Sequence, residues 1–137
     1  MKPIKMPDTF YDVEYKAERI PGVDNQSDLT LGANCQVFAY ALLNENGLQV
    51  PNDRSSELWS DTSYSEFVTD FKPLDLMLYN PTNDAYGAHV GVYIGDGQVI
   101  HLSYANGKPE ILPHAELLKH AKYRCFVGAK RLLKAQY

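Results

Sequence analysis

The stretch His89-Val90-Gly91-Val92-Tyr93-Ile94-Gly95-Asp96-Gly97-Gln98-Val99-Ile100-His101 decides how this chain is read. Apolar residues alternate with small or polar ones on both sides of Gly95-Asp96-Gly97, which is the pattern of two strands joined by a tight turn. On the first strand Val90, Val92 and Ile94 form an apolar face, leaving His89, Gly91 and Tyr93 on the other. The turn then determines where His101 points. With a two-residue loop, Asp96-Gly97, residue 92 opposes 101 and the two histidines face opposite ways. With a three-residue loop and Gly97 in a bulge, residue 91 opposes 101. The histidines then become diagonal neighbours on one face, with backbones roughly 7–8 Å apart.

Working outward, Leu74 to Tyr79 reads as a further strand, Pro113 opens a short helix through Lys119, and Tyr123 to Leu133 supplies one or two closing strands. Upstream, Asn34 and Gly47 bracket a helix of about three turns that starts at Cys35, one as N-cap and the other as C′ glycine. Residues 35, 38, 39 and 42 share a face of it at helical spacing and are expected to meet the core. A short helix follows Asp53 or Ser55 and runs through Leu58 and Trp59. Met1 to Ala33 is irregular, punctuated by Pro3, Pro7, Pro21 and Gly22, with a short helix expected from Asp12 to Arg19. A cysteine-bearing helix followed by a mainly antiparallel sheet is an α+β layout. One domain, 1–137, is expected, with 1–33 as an irregular lead and 34–137 as the core.

Composition agrees. The chain has 137 residues, 45% of them apolar, and its 10 Tyr, 5 Phe and 1 Trp supply large buriable units, so one core is expected and disorder is not. The longest apolar run, Val37 to Leu43, falls far short of the roughly 20 residues needed to span a bilayer. The acidic start at Asp8, Asp12, Glu14 and Glu18 lacks the apolar centre of a secretory signal, so the protein is expected in the cytoplasm as encoded, with export by another route open. Residues 1–107 carry 6 basic and 15 acidic side chains and 108–137 carry 7 and 2. The basic tail reads as a solvated face; without interleaved aromatics it does not point to nucleic acid. Cys35 and Cys125 are too few for a disulfide framework and are expected to be reduced.

Two cysteines need not be equal. Cys35 lies in the first turn of its helix, where unpaired N–H groups and the helix dipole favour a thiolate, so it is a candidate nucleophile; the bland alternative is a small buried hydrophobe. A histidine base and a third group that orients it complete a thiol hydrolase, and His89 and His101 fit if the hairpin puts them on one face. Two histidines without a carboxylate at ligand spacing do not make a zinc site, and no metal or organic cofactor is expected. Trp59, with Ser56 and Asp61 nearby, is a candidate wall of a substrate groove. Asp75 and Asp96 read as turn residues, His114 and His120 as part of a solvated face, and Cys125 as structural.

These residues resemble the NlpC-type bacterial cell-wall cysteine peptidases, which have a papain-like fold. Gly32-Ala33-Asn34-Cys35-Gln36-Val37-Phe38 is similar to the block at the head of that family's nucleophile helix, Lys72-Pro73-Leu74-Asp75-Leu76 to its Pro-Gly-Asp-Leu strand start, and His89 to His101 to its His-Val-Gly-Ile-Tyr hairpin. The resemblance implies Cys35 as nucleophile, His89 as general base and acid, His101 as orienter, and a peptide or muropeptide substrate. Asn34 and Gln36, flanking the nucleophile, become candidate substrate-binding residues. They stand where the family usually has Asp and Ser, and a neutral Asn34 cannot pair with a substrate amine as Asp does. The family's upstream Tyr has no counterpart near Val23-Asp24; Tyr11 and Tyr15 lie further away in sequence. A cytoplasmic amidase, acyltransferase or thioesterase, or a silent binding module, are the other readings.

Overall fold

A computed structural model describes residues 4–20, 29, 32–51, 53–103 and 106–133. Pro3, Pro21, Gly22 and the Val23-Asp24 stretch lie outside them. The first helix, α1 (Cys35–Glu45), begins where the Asn34 side chain accepts a hydrogen bond from the Val37 N–H at 2.8 Å, and it is closed by Gly47 at φ 86°. Only glycine adopts that backbone without strain. The expectation of one buried face is too modest, because every residue from Gln36 to Leu43 is buried. An apolar run without a polar interruption until Asn44 has no face to offer water, so α1 is enclosed on all sides. Part of the enclosure comes from the N-terminal segment, where Phe10 packs on Phe38 with ring centroids 5.8 Å apart. That segment forms a 3-10 turn at Asp8–Asp12. The helix expected over 12–19 is absent: Tyr15 instead makes a parallel bridge to Ala33, and the Lys16 N–H bonds the Ala33 carbonyl. Tertiary pairing has won over a weak local preference.

A short helix, α2 (Ser55–Ser60), leads into a six-stranded antiparallel sheet: β1 (Ser65–Val68), β2 (Leu76–Asn80), β3 (His89–Gly95), β4 (Gln98–Leu102), β5 (Pro109–Pro113) and β6 (Cys125–Leu132). The spatial order is β1-β6-β2-β3-β4-β5, so the last strand lies inside the sheet. A short helix, α3 (His114–Leu117), and a 3-10 turn at Ala121–Tyr123 separate β5 from β6. This is the α+β architecture expected, a cysteine-bearing helix on an antiparallel sheet. Buried Asp75 holds β2 to β6, taking two hydrogen bonds from Arg131 at 2.8 and 2.9 Å.

Side chains alternate across the sheet. Leu76, Leu78, Val90, Val92, Ile100 and Leu102 face α1 in the larger core, while Met77, Tyr79 and Val99 face a second core with Leu117, Tyr123 and Ala129. Each fully buried leucine on either side contributes roughly 1.5–3 kcal/mol relative to exposure. His114, expected on a solvated face, packs among Phe71, Tyr79 and Phe126, with Nδ1 2.7 Å from the Tyr79 hydroxyl.

The hairpin resolves the register in a way that neither simple loop anticipates. The tip is the two-residue Asp96-Gly97, both at positive φ (54° and 76°), closing a Gly95–Gln98 pair. That turn alone would turn His101 away. A bulge between Tyr93 and Gly95 inserts one residue into β3, and the pairing below it runs Tyr93↔Val99 and Val92↔Ile100. Continuing this register sets Gly91 opposite His101, on the same face as His89.

Candidate active site

Cys35 reaches the site through the N-cap geometry of Asn34, and His89 and His101 through the bulged hairpin. His89 Nε2 lies 2.8 Å from His101 Nδ1, with the rings nearly perpendicular and centroids 5.0 Å apart. Gly91 makes this possible: a Cβ there would stand 2.7 Å from Val99 Cγ1 and 3.4 Å from His101 Cβ. The N–H groups of Val90, the residue after His89, and of Gln36 and Cys35 itself favour the thiolate form of Cys35. Its charge is felt by Tyr123, whose ring stacks on His89 with centroids 4.3 Å apart.

The electrostatics correct one expectation. Burial pushes the Cys35 thiol up from its ordinary value, and the three amides and the Arg54 charge offset this only in part. The helix start therefore does not by itself produce a thiolate. Burial also holds His89 well below 6.5, assisted by repulsion from His101 and His120, so it rests neutral and able to accept a proton. His101 is lowered by burial too, against an opposing pull from Glu110.

Cys35 opens onto a cavity of about 440 Å³. Asn34 and Gln36 line it, together with Tyr15, Arg54, Ser55 and Tyr86. Asn34 also works as the helix cap, its side-chain oxygen engaged by Val37. Buried Ser55 takes a hydrogen bond from the Ala88 N–H at 3.1 Å and so ties α2 to the start of β3. Trp59 is elsewhere: its ring lies over Gly128 and edge-on to Phe67 at 4.6 Å, outside the lining of this cavity.

Tyr15, Tyr123 and Glu110 are site residues that the sequence reading passed over. Tyr15 is brought in by its bridge to Ala33. Glu110 is on β5, directly across from His101; the Asn106-Gly107 pair, a strong hairpin signal, could have revealed that strand. Among the described residues no group of three His, Cys, Asp or Glu side chains is arranged to hold a metal ion, and no helix is long and apolar enough to cross a membrane.

Comparison with known proteins identifies the family and the fold. The NlpC/P60 family matches residues 21–126. A γ-D-glutamyl-L-lysine dipeptidyl-peptidase of Bacillus subtilis is 29% identical over 101 residues, covering 69% of this chain and 33% of the relative. An NlpC/P60 family protein from Bacillus cereus superimposes with a TM-score of 0.56 at 26% identity, over 74% of this chain and 32% of the other. The peptidoglycan hydrolase RipB of Mycobacterium tuberculosis shares the fold with a TM-score of 0.59 at 20% identity, over 93% and 61%. The chain spans about a third of the length of its two Bacillus relatives. With most of its length matched, helix and hairpin included, the chain belongs to the NlpC/P60 family.

Proposed function

We propose that this domain is a cysteine hydrolase of cell-wall stem peptides, cleaving an amide bond of the γ-D-glutamyl-diamino acid kind that the name of the Bacillus subtilis relative carries. The observation that supports it best is the His89–His101 hydrogen bond at the start of the hairpin, together with a thiol at a helix head that opens onto a cavity. His89 uses Nε2 toward His101, so its Nδ1 is the nitrogen left to take the Cys35 proton. The sulfur then bonds to the substrate carbonyl carbon, and the oxyanion is met by N–H groups at the start of α1, from Cys35 and Gln36. As the C–N bond breaks, His89 returns its proton to the leaving amine. Water, deprotonated by the same imidazole, attacks the thioester, releasing the acid and restoring the thiol.

A second reading keeps the chemistry and changes the substrate to an amide with no free amine near the scissile bond. It is favoured by Asn34, which carries no charge and whose oxygen is taken by Val37. Incubating the protein and Cys35→Ala with a panel of purified muropeptides and following products by mass spectrometry tests the proposal. Cleavage that depends on Cys35 is expected; a panel left intact would move the assignment to the second reading.

A further inference from the structure

The hydrogen-bond chain does not end at His101. The β4–β5 register sets Glu110 opposite it, and Glu110 Oε1 lies 3.0 Å from His101 Nε2. Both nitrogens of this ring, on a residue only 1% exposed, therefore have partners: His89 on one side and Glu110 on the other. A carboxylate only accepts hydrogen bonds. Its place at Nε2 requires the His101 proton to be there, which makes Nδ1 an acceptor. His89 must then carry its own proton on Nε2, leaving the Nδ1 lone pair free for the thiol.

We infer that Glu110 is a positioning residue of this site, setting the tautomer of His101 and through it that of His89, and steadying the imidazolium that forms when Cys35 gives up its proton. The inference rests on the cysteine-hydrolase reading above. No proton passes beyond His89: the thiol proton moves to His89 Nδ1, His89 Nε2–H keeps donating to His101, and Glu110 stays a carboxylate throughout. The titratable and charged groups around the pair are Cys35 on α1, Glu110 on β5, Glu116 on α3, Tyr123 and His120 at the 3-10 turn, and Tyr15. Of these, Glu110 is the carboxylate bonded to the imidazole chain.

Glu110→Gln tests the assignment, because a glutamine amide can donate to His101 Nε2 and reverse the chain, moving the His89 proton onto Nδ1. ¹⁵N spectra of histidine-labelled protein should show Nε2–H tautomers for His89 and His101 in the wild type, with a switch toward Nδ1–H in the variant. This readout needs no substrate, so it decides the inference even if no muropeptide is cleaved. With a cleaved substrate, kcat should fall about 10–100-fold, the scale on which a carboxylate behind a metal-bound imidazole acts. KM should change little, and the acid limb of the pH profile should move to lower pH, since the imidazolium has lost its counter-charge. Glu110→Asp should recover part of the rate. Tautomers unchanged both in Glu110→Gln and in Glu110→Ala, where no side chain accepts from His101 Nε2, would make Glu110 a staple between strands and overturn the inference.

Discussion

Acidification from pH 7 to pH 5 should weaken this fold through its buried imidazoles. His89 and His101 are 9% and 1% exposed, and burial holds both below the ordinary 6.5. The unfolded chain binds protons at these positions below pH 6.5 and the folded chain does not. Stability is therefore fully present above that value and is lost as the pH falls beneath it. Each such group gives a slope of up to about 1.4 kcal/mol per pH unit, or about 2 kcal/mol between pH 7 and 5. If the hydrogen-bonded pair stays neutral the loss is about 4 kcal/mol, a large share of the 5–15 kcal/mol typical of a domain. If the pair takes up one proton the loss is about half that. His114, lowered by burial but less enclosed, adds to either figure. Carboxylates enter later. Burial favours a neutral Asp61, but hydrogen bonds from Ser65, Ser63 and the Tyr64 amide outweigh it and hold Asp61 at about 2, so its contribution fades only below about pH 4. Urea unfolding at pH 7, 6 and 5, followed by the fluorescence of Trp59, measures the loss. His101→Asn should reduce the pH dependence. A stability that is flat from pH 7 to 5, or a slope unchanged in His101→Asn, would refute the reasoning.

Substitutions at three other positions probe how the site and its surroundings are held. Asn34→Ala removes the cap bond to Val37 and should cost about 1 kcal/mol in urea unfolding, whereas Asn34→Asp keeps an acceptor at the helix start and should hold most of the stability. Equal stability of all three proteins would show that the cap is idle. Gly128→Ala would put a Cβ 2.5 Å from the Trp59 ring; the overpacking should cost about 1–3 kcal/mol and shift the tryptophan emission. Trp59→Phe should leave KM for a cleaved muropeptide unchanged, because the ring lies outside the Cys35 cavity, and a raised KM would contradict that placement.

The helix at Cys35 and the hairpin histidines are legible in the sequence because each is encoded locally, by a cap residue, a terminal glycine and a period of two. What escapes is fixed by pairing between distant segments. β5 runs from Pro109 to Pro113, and two prolines disguise it as a loop; with it goes Glu110. Tyr15 looks too remote from Cys35 until the bridge to Ala33 folds the N-terminal segment back. The bulge at the end of β3 is invisible to simple turn rules, because Asp96-Gly97 is the two-residue turn those rules favour and the compensating residue lies one pair below it. Trp59 has the composition of a groove wall, yet the missing side chain at Gly128 draws its ring onto the sheet.

The place of β6 has a consequence for how the domain comes into being. Lying between β1 and β2, it is the piece without which neither neighbour has a partner on that side, and it is the last strand of this sheet to be synthesised. The α1 and hairpin segments can begin to associate during synthesis, but β1 has no place in the sheet until the residues up to Leu132 have emerged. Pairings this distant in sequence slow folding and prolong the exposure of unpaired strand edges. A nascent chain should therefore depend on chaperones or on low concentration until β6 has emerged, and the closed sheet should form abruptly once it has.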